Sequence, residues 1–180
     1  MTWAGVDVGG RRKGFHIAVV GPKGLVLGPE RAPTAAEVVD LIRGVNLVAV
    51  DSPRSPAADG SRSRACEREL VRAVCGLRYT PERAVLDGHP YYEWIRQGFE
   101  LYAALDAAGI HAVECFPTAS FTRWAGPRGR RTRARWTSEA LGFPVRHGQD
   151  GRDAVAAALT ARSAALGRVE RFGDIVVPLT

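Results

Sequence analysis

A chain of 180 residues accommodates one domain with its own hydrophobic core and leaves little room for a second. Its 46% apolar and 24% charged residues exclude intrinsic disorder, and no apolar run approaches the roughly 20 residues needed to cross a bilayer. The net charge of +6 is carried almost wholly by arginine, with lysine only at Lys13 and Lys23. That bias fits bidentate contacts to phosphate and fits equally a genome rich in arginine codons.

The opening residues 1–7 lack both a basic segment and a long apolar segment, so no signal peptide is expected and the cytoplasm is the expected location. Residues 3–8, 14–20 and 24–28 are short strand-like runs parted by Gly9-Gly10 and Gly21-Pro22, a pattern that predicts an antiparallel meander. Thr34-Ala35-Ala36-Glu37 is a capping box, followed by Val38, Val39, Leu41 and Ile42 at helical spacing and closed by Gly44. Residues 46–51 form a continuous apolar run ending in Asp51, the mark of a buried parallel strand.

Residues 62–75 carry Cys66, Leu70 and Val74 on one helical stripe, ended by Gly76. Tyr91, Ile95, Phe99, Tyr102 and Leu105 make a second stripe, ended by Gly109. Residues 110–116 read as a strand broken by Pro117, and 123–135 as a polar, arginine-laden stretch. The last helix is expected to start after Asp150 and reach about Gly167, with residues 175–177 as a closing strand or tail. Cys66, Cys75 and Cys115 have no metal-binding spacing and read as reduced, mostly buried thiols. With no repeat and no linker, the order implies one α/β domain over residues 1–180. Its expected architecture is a mixed central sheet, three antiparallel strands then parallel ones, with helices on both faces.

The acids fall in a telling place. Asp7 lies in the first strand, Asp51 and Glu114 end apolar strands, and Asp150 and Asp153 stand at the start of the last helix. Functional groups in open α/β sheets gather beyond the carboxyl ends of the strands. If the first strand pairs with the one ending at Asp51, and that one with the strand ending at Glu114, the acids converge at one edge. Carboxylates so gathered repel unless cations neutralise them, and an all-oxygen set favours Mg²⁺ or Mn²⁺. Two such ions, roughly 3.5–4 Å apart, cleave phosphodiesters by activating water and stabilising the leaving oxygen. Each acid also has a plainer reading. Asp150 could cap the helix, Asp153 could favour its dipole, Asp51 could form a turn and Glu114 a strand-end salt bridge. Asp7 is the hardest to explain so, because an acid inside a buried strand needs compensation.

Gly5-Val6-Asp7-Val8-Gly9-Gly10, Val48-Ala49-Val50-Asp51-Ser52-Pro53, Arg64-Ala65-Cys66-Glu67, Val113-Glu114-Cys115-Phe116-Pro117 and Asp150-Gly151-Arg152-Asp153 together resemble the DUF429 family. The resemblance runs almost the full length of the chain. It implies a ribonuclease H-like fold and a metal-dependent nuclease, with Asp7, Asp51, Glu114 and Asp153 as the catalytic and metal-binding acids and Asp150 as a fifth ligand. The Asp150–Asp153 pair is similar to the helix acids of Holliday-junction resolvases of the RuvC type, a class whose members often act as homodimers. Helical residues at about 57–109 are an insertion relative to a minimal ribonuclease H.

Arg128, Arg130 and Arg131, with Arg123, Arg133 and Arg135 and the nearby Trp124 and Trp136, could grip a nucleic-acid backbone, or could form a solvated loop whose tryptophans belong to the core. Arg64 is expected to touch substrate or to pair with Glu67 on a helix. His147 could relay protons beside Asp150 or have no role, while His16 and His111 read as structural. Two other readings compete with a nuclease: a non-catalytic module that binds nucleic acid or protein, and an actin-like ATP-dependent phosphotransferase using Gly9-Gly10. The latter needs a second phosphate loop, which the chain lacks.

Overall fold

Alternate residues of the central strands face two separate helical layers. The structure, a computed structural model describing residues 1–180, has a seven-stranded sheet ordered β3-β2-β1-β4-β5-β7-β6. Its strands are β1 (Trp3–Val8), β2 (Phe15–Gly21), β3 (Gly24–Ala32), β4 (Leu47–Asp51), β5 (Ala112–Cys115), β6 (Val169–Phe172) and β7 (Ile175–Pro178). The first three form the expected meander, and β1, β4, β5 and β7 run parallel. The mixed sheet with helices on both faces is therefore present.

On one face Trp3, Ala18, Ala49, Cys115 and Val176 pack against α5 (Pro117–Ala125), α6 (Arg133–Leu141) and α7 (Gly148–Ala165). On the other, Ala4, Val6, Ile17, Val48 and Val50 meet α1 (Ala35–Leu41) and α4 (Glu93–Ala107). A strand buried on both sides loses the polar alternation that would show which face is which, and β1 is buried throughout. The helical residues between β4 and β5 divide: Leu101, Tyr102 and Leu105 of α4 complete a core layer, while α2 (Ala65–Ala73) and α3 (Arg83–Gly88) lie outside that core cluster.

Several local expectations need correction. Pro117 opens α5 rather than only ending a strand, since proline suits the first helical turn. The arginine-laden stretch is not one loop: it spans the end of α5 and the start of α6, which Thr132 caps and Gly142 ends in left-handed conformation. α7 begins at Gly148, ahead of Asp150, so Asp150 lies inside the first turn and His147 occupies the cap position. Of the two readings of residues 175–177, the strand holds and the tail does not; it lies inside the sheet between β5 and β6, and β6 was not foreseen. β3 continues to Ala32, past Gly28-Pro29, with an irregular register against β2.

α7 lies unusually close to β1. A Cβ built on Gly5 would stand 2.0 Å from the Ala158 nitrogen and 2.3 Å from the Ala154 carbonyl oxygen. Backbone cannot move aside as a side chain can, so glycine sets the spacing of helix and sheet. Gly5→Ala is expected to cost about 3 kcal/mol by overpacking, a loss of roughly 10 °C in thermal midpoint for a chain of this size. A calorimetric shift below 1 °C would mean that the helix is not seated on this glycine.

Candidate active site

Strand register decides which acids meet. Asp7 and Asp51 are direct partners across the parallel β1–β4 pair, so both side chains leave the same face, the one covered by α7. The seating of α7 at Gly5 brings Asp153, one turn after Asp150, over the same strand ends. Asp7 and Asp153 are both buried, at 8% and 5% exposure. A cleft of about 660 Å³ is lined by these acids together with Asp150, Glu114, Arg64 and Lys13.

The expectation that Glu114 converges with them is off by one residue of register. Glu114 pairs with Val50, not Asp51, and so leaves the opposite face. There Arg64 grips both of its carboxylate oxygens, Nη1 at 2.8 Å from Oε2 and Nη2 on Oε1, and the Arg54 amide donates to Oε2 at 2.9 Å. Arg64 Nε in turn donates to Glu67 at 3.1 Å, and Glu67 also accepts from the Thr80 amide and hydroxyl. Arg64, Glu67, Thr80 and Glu114 are all buried. The Arg64–Glu67 pair expected on a helix surface is thus an interior network at the cleft wall. Cys115, one residue past Glu114 and so on the face covered by α7, is buried, and burial raises its thiol well above the ordinary range, which leaves it inert.

The aspartates strain against their surroundings. Burial first, and the nearby Asp153 second, push Asp7 up to about 8. Burial, with Asp7 and Asp153 beside it, holds Asp51 well above the carboxylate range. Burial also raises Asp153, although Arg133 Nη2 donates to it at 2.9 Å and Gln149 Nε2 at 2.9 Å. Gln149 is oriented by Thr137 and Arg152, so α6 and α7 jointly fix the Asp153 rotamer. Asp7 Oδ2 is buried with no hydrogen-bond partner. An orphaned carboxylate oxygen among mutually repelling acids fits a hard divalent cation, which Asp7 and Asp150 would hold with Asp51 and Asp153 beside them.

The other anticipated residues scatter. Asp150 takes a salt bridge from Lys13 Nζ at 2.6 Å. Arg131 donates to the Ala125, Pro127 and Arg128 carbonyls and pairs with Glu139, which commits it to its own loop. Arg128 and Arg130 are exposed in the α5–α6 connection. Trp136 is core, and the half-buried Trp124 packs on Phe121, which in turn packs on Trp136. His147 is exposed in left-handed conformation with its ring 5.7 Å from that of His16. Lys13 and His16 were missed as site residues, and Arg133, expected among the backbone-gripping arginines, instead pairs with Asp153. His16 could have been found by counting across the first hairpin, where it sits opposite Asp7.

A mixed sheet whose first three strands form a meander, with paired aspartates at parallel strand ends and a helix carrying acids across them, defines the ribonuclease H-like class of fold. Two solved structures are similar in fold. Thermus thermophilus RuvC aligns over 93% of this chain and 97% of its own, with a TM-score of 0.52 at 20% identity. T. thermophilus RuvC in complex with Holliday junction substrate aligns over 93% and 96%, at 0.50 and 19%. The chain belongs to the DUF429 family, described as a protein of unknown function, whose model matches residues 5–176. No curated protein matches it.

Proposed function

We propose that this protein is a metal-dependent nuclease that hydrolyses phosphodiester bonds of branched DNA. The observation that carries the reading is the confluence of buried Asp7 and Asp153 with half-buried Asp51, acids whose proton affinities are raised by desolvation and by neighbouring carboxylates. In this reading Asp7, Asp51 and Asp153 hold the cation, with Asp150 as a further ligand once Lys13 is displaced. A divalent cation bound there supplies an activated water and charge for the leaving oxygen. Arg133 and Gln149 orient Asp153, and Glu114 anchors Arg64 at the cleft wall. The two spare N–H groups of Arg64 are available to a substrate phosphate. Branched DNA is the first substrate to test because a structural neighbour is a RuvC bound to Holliday junction substrate.

The test is cleavage of four-way junction, duplex, single-stranded and RNA–DNA hybrid substrates with Mn²⁺, Mg²⁺ or chelator. Metal-dependent cutting with preference for the junction is the expected result. No hydrolysis of any substrate with either metal overturns the nuclease reading. A non-catalytic binding module draws support from the ion pairs Lys13–Asp150, Arg64–Glu114 and Arg133–Asp153, which offset the acids without a metal. Junction binding with no cutting would favour it.

Arg128 and Arg130 are exposed and form no ion pair, unlike the neighbouring Arg123, Arg131, Arg133 and Arg135. Replacing both with alanine is expected to weaken junction binding about tenfold at moderate salt and to reduce the slope of log affinity against log salt by about 2. Fluorescence anisotropy across a salt series reads both quantities. An unchanged slope removes the two arginines from the DNA contact.

A further inference from the structure

We propose that Asp7, His16 and Asp150 form a cation position in which His16 Nδ1 is a direct ligand, so that this site prefers Mn²⁺ or another transition ion to Mg²⁺. The proposal shares Asp7 and Asp150 with the nuclease reading and adds to it an inner-sphere nitrogen and a metal preference.

The antiparallel β1–β2 register sets His16 opposite Asp7, and cross-strand partners project from the same face. His16 is 6% exposed, and its Nδ1 is buried with no hydrogen-bond partner, as is Asp7 Oδ2. The two orphaned atoms stand 3.8 Å apart, too far for a hydrogen bond. Two donors each about 2.1 Å from one cation lie about 3–4 Å apart, so this gap is the one a shared ion spans. A carboxylate oxygen of Asp150 supplies a third donor, and one ligand atom from each residue lies within 4.8 Å of the others. Two unpartnered buried polar atoms facing each other beside a third acid have no reason to persist unless something between them satisfies both.

Charge and tautomer agree with that role. Burial, acting against the attraction of Asp150, lowers the proton affinity of His16. An imidazole with its proton on Nε2 leaves the buried, unpartnered Nδ1 with a free lone pair for a metal. Lys13 Nζ, on Asp150 Oδ1 at 2.6 Å, serves as the local cation and is half exposed, so it can swing away to solvent when an ion arrives. His147 packs on His16 at 5.7 Å between ring centroids and is exposed; it covers the imidazole without belonging to the donor set. Carboxylate oxygens alone accept Mg²⁺ and Mn²⁺, whereas an imidazole nitrogen shifts preference along the transition series.

The experiment is pulsed electron paramagnetic resonance on the full chain loaded with Mn²⁺, which detects a directly bound nitrogen by its modulation of the echo decay. Modulation is expected in the wild type and in His147→Gln, and absent in His16→Gln. Isothermal titration should show the ratio of Mn²⁺ to Mg²⁺ affinity falling at least about tenfold in His16→Gln, the size of loss seen for tuning residues around metals. Lys13→Met should bind Mn²⁺ several-fold more tightly, because its competing ammonium is gone. Should His16→Gln fail to fold, wild type and His147→Gln carrying ¹⁵N-histidine still decide the matter, since the modulation must change to that of ¹⁵N in both. No nitrogen modulation in the wild type, or modulation that persists in His16→Gln or disappears in His147→Gln, overturns the proposal. Nitrogen modulation in a protein that cuts no DNA would refute the nuclease reading and leave this one standing. Cutting without nitrogen modulation would do the reverse.

Discussion

Asp7→Asn is expected to abolish Mn²⁺-dependent cleavage while making the metal-free protein more stable. The activity loss, on the order of 10³-fold, follows if Asp7 holds the cation that activates water and stabilises the leaving group. The gain in stability follows from the same position. Burial and the neighbouring Asp153 raise Asp7 to about 8, so its proton is bound more tightly in the folded chain than in the unfolded one. A carboxyl shifted in this direction favours folding most below its unfolded value near 4 and loses that contribution as pH rises toward 8. Metal-free wild type should therefore melt at falling temperature between pH 5 and pH 8. Asp7→Asn should flatten the profile and be more stable at pH 8 by on the order of 3 kcal/mol, roughly 10 °C in midpoint. Mn²⁺ should restore the wild type at pH 8 and have a much smaller effect on the variant. Scanning calorimetry across that range, with and without Mn²⁺, measures all of this. A variant less stable than wild type at pH 8 would mean that the repulsion is absent and the cation requirement with it.

How much of this was legible in the sequence depends on whether the decisive information was local. The β1–β2 meander and the pairing of Asp7 with Asp51 were readable, because apolar runs ending in acids, joined by tight turns or a capped helix, have few ways to assemble. The face of Glu114 was not. In Val113-Glu114-Cys115 every neighbour is apolar, and only the register with β4, set by packing far along the chain, sends the acid away from Asp51. The position of β7 was hidden for a similar reason: its short apolar run was readable as a strand but carries no mark of insertion beside β5. α5 and α6 were obscured by arginines whose partners, Glu170, Glu139 and Asp153, are invisible before folding. Here the signals existed, in Pro117 as a helix opener and in Thr132 and Gly142 as a cap and a stop, and charge density outweighed them in the reading. His16 is the sharpest omission. Val8 pairs with Phe15, so counting one step outward sets His16 against Asp7 without any further knowledge of the fold.

Arg64→Met is expected to be the most destabilising single change at the cleft, because it leaves Glu67 and Glu114 buried with their shared counter-charge removed. Breaking a buried ion pair from one side typically costs about 3–5 kcal/mol, and here two acids lose one arginine. Arg64→Lys should lie between wild type and Arg64→Met, since an ammonium keeps the charge but cannot fork across both Glu114 oxygens. Burial already raises Glu114 against the pull of Arg64. Without Arg64 its carboxyl must rise further, so the variant should recover part of its stability at pH 5, where the proton neutralises it, and lose most at pH 8. Glu114→Gln should be the milder substitution, because Arg64 keeps Glu67 and the amide oxygen can still accept a hydrogen bond. The double variant should be more stable than Arg64→Met alone, by a coupling of about 1–3 kcal/mol in a thermodynamic cycle. The same protein decides the duty of Glu114. If the acid serves to anchor Arg64 on the far face of the sheet, Glu114→Gln leaves Mn²⁺ affinity within about twofold of wild type, whereas a direct ligand lost would cost tenfold or more. A drop of that size would return Glu114 to the metal-binding set and require Arg64 to release it on metal entry, turning an anchored wall of the cleft into a gate.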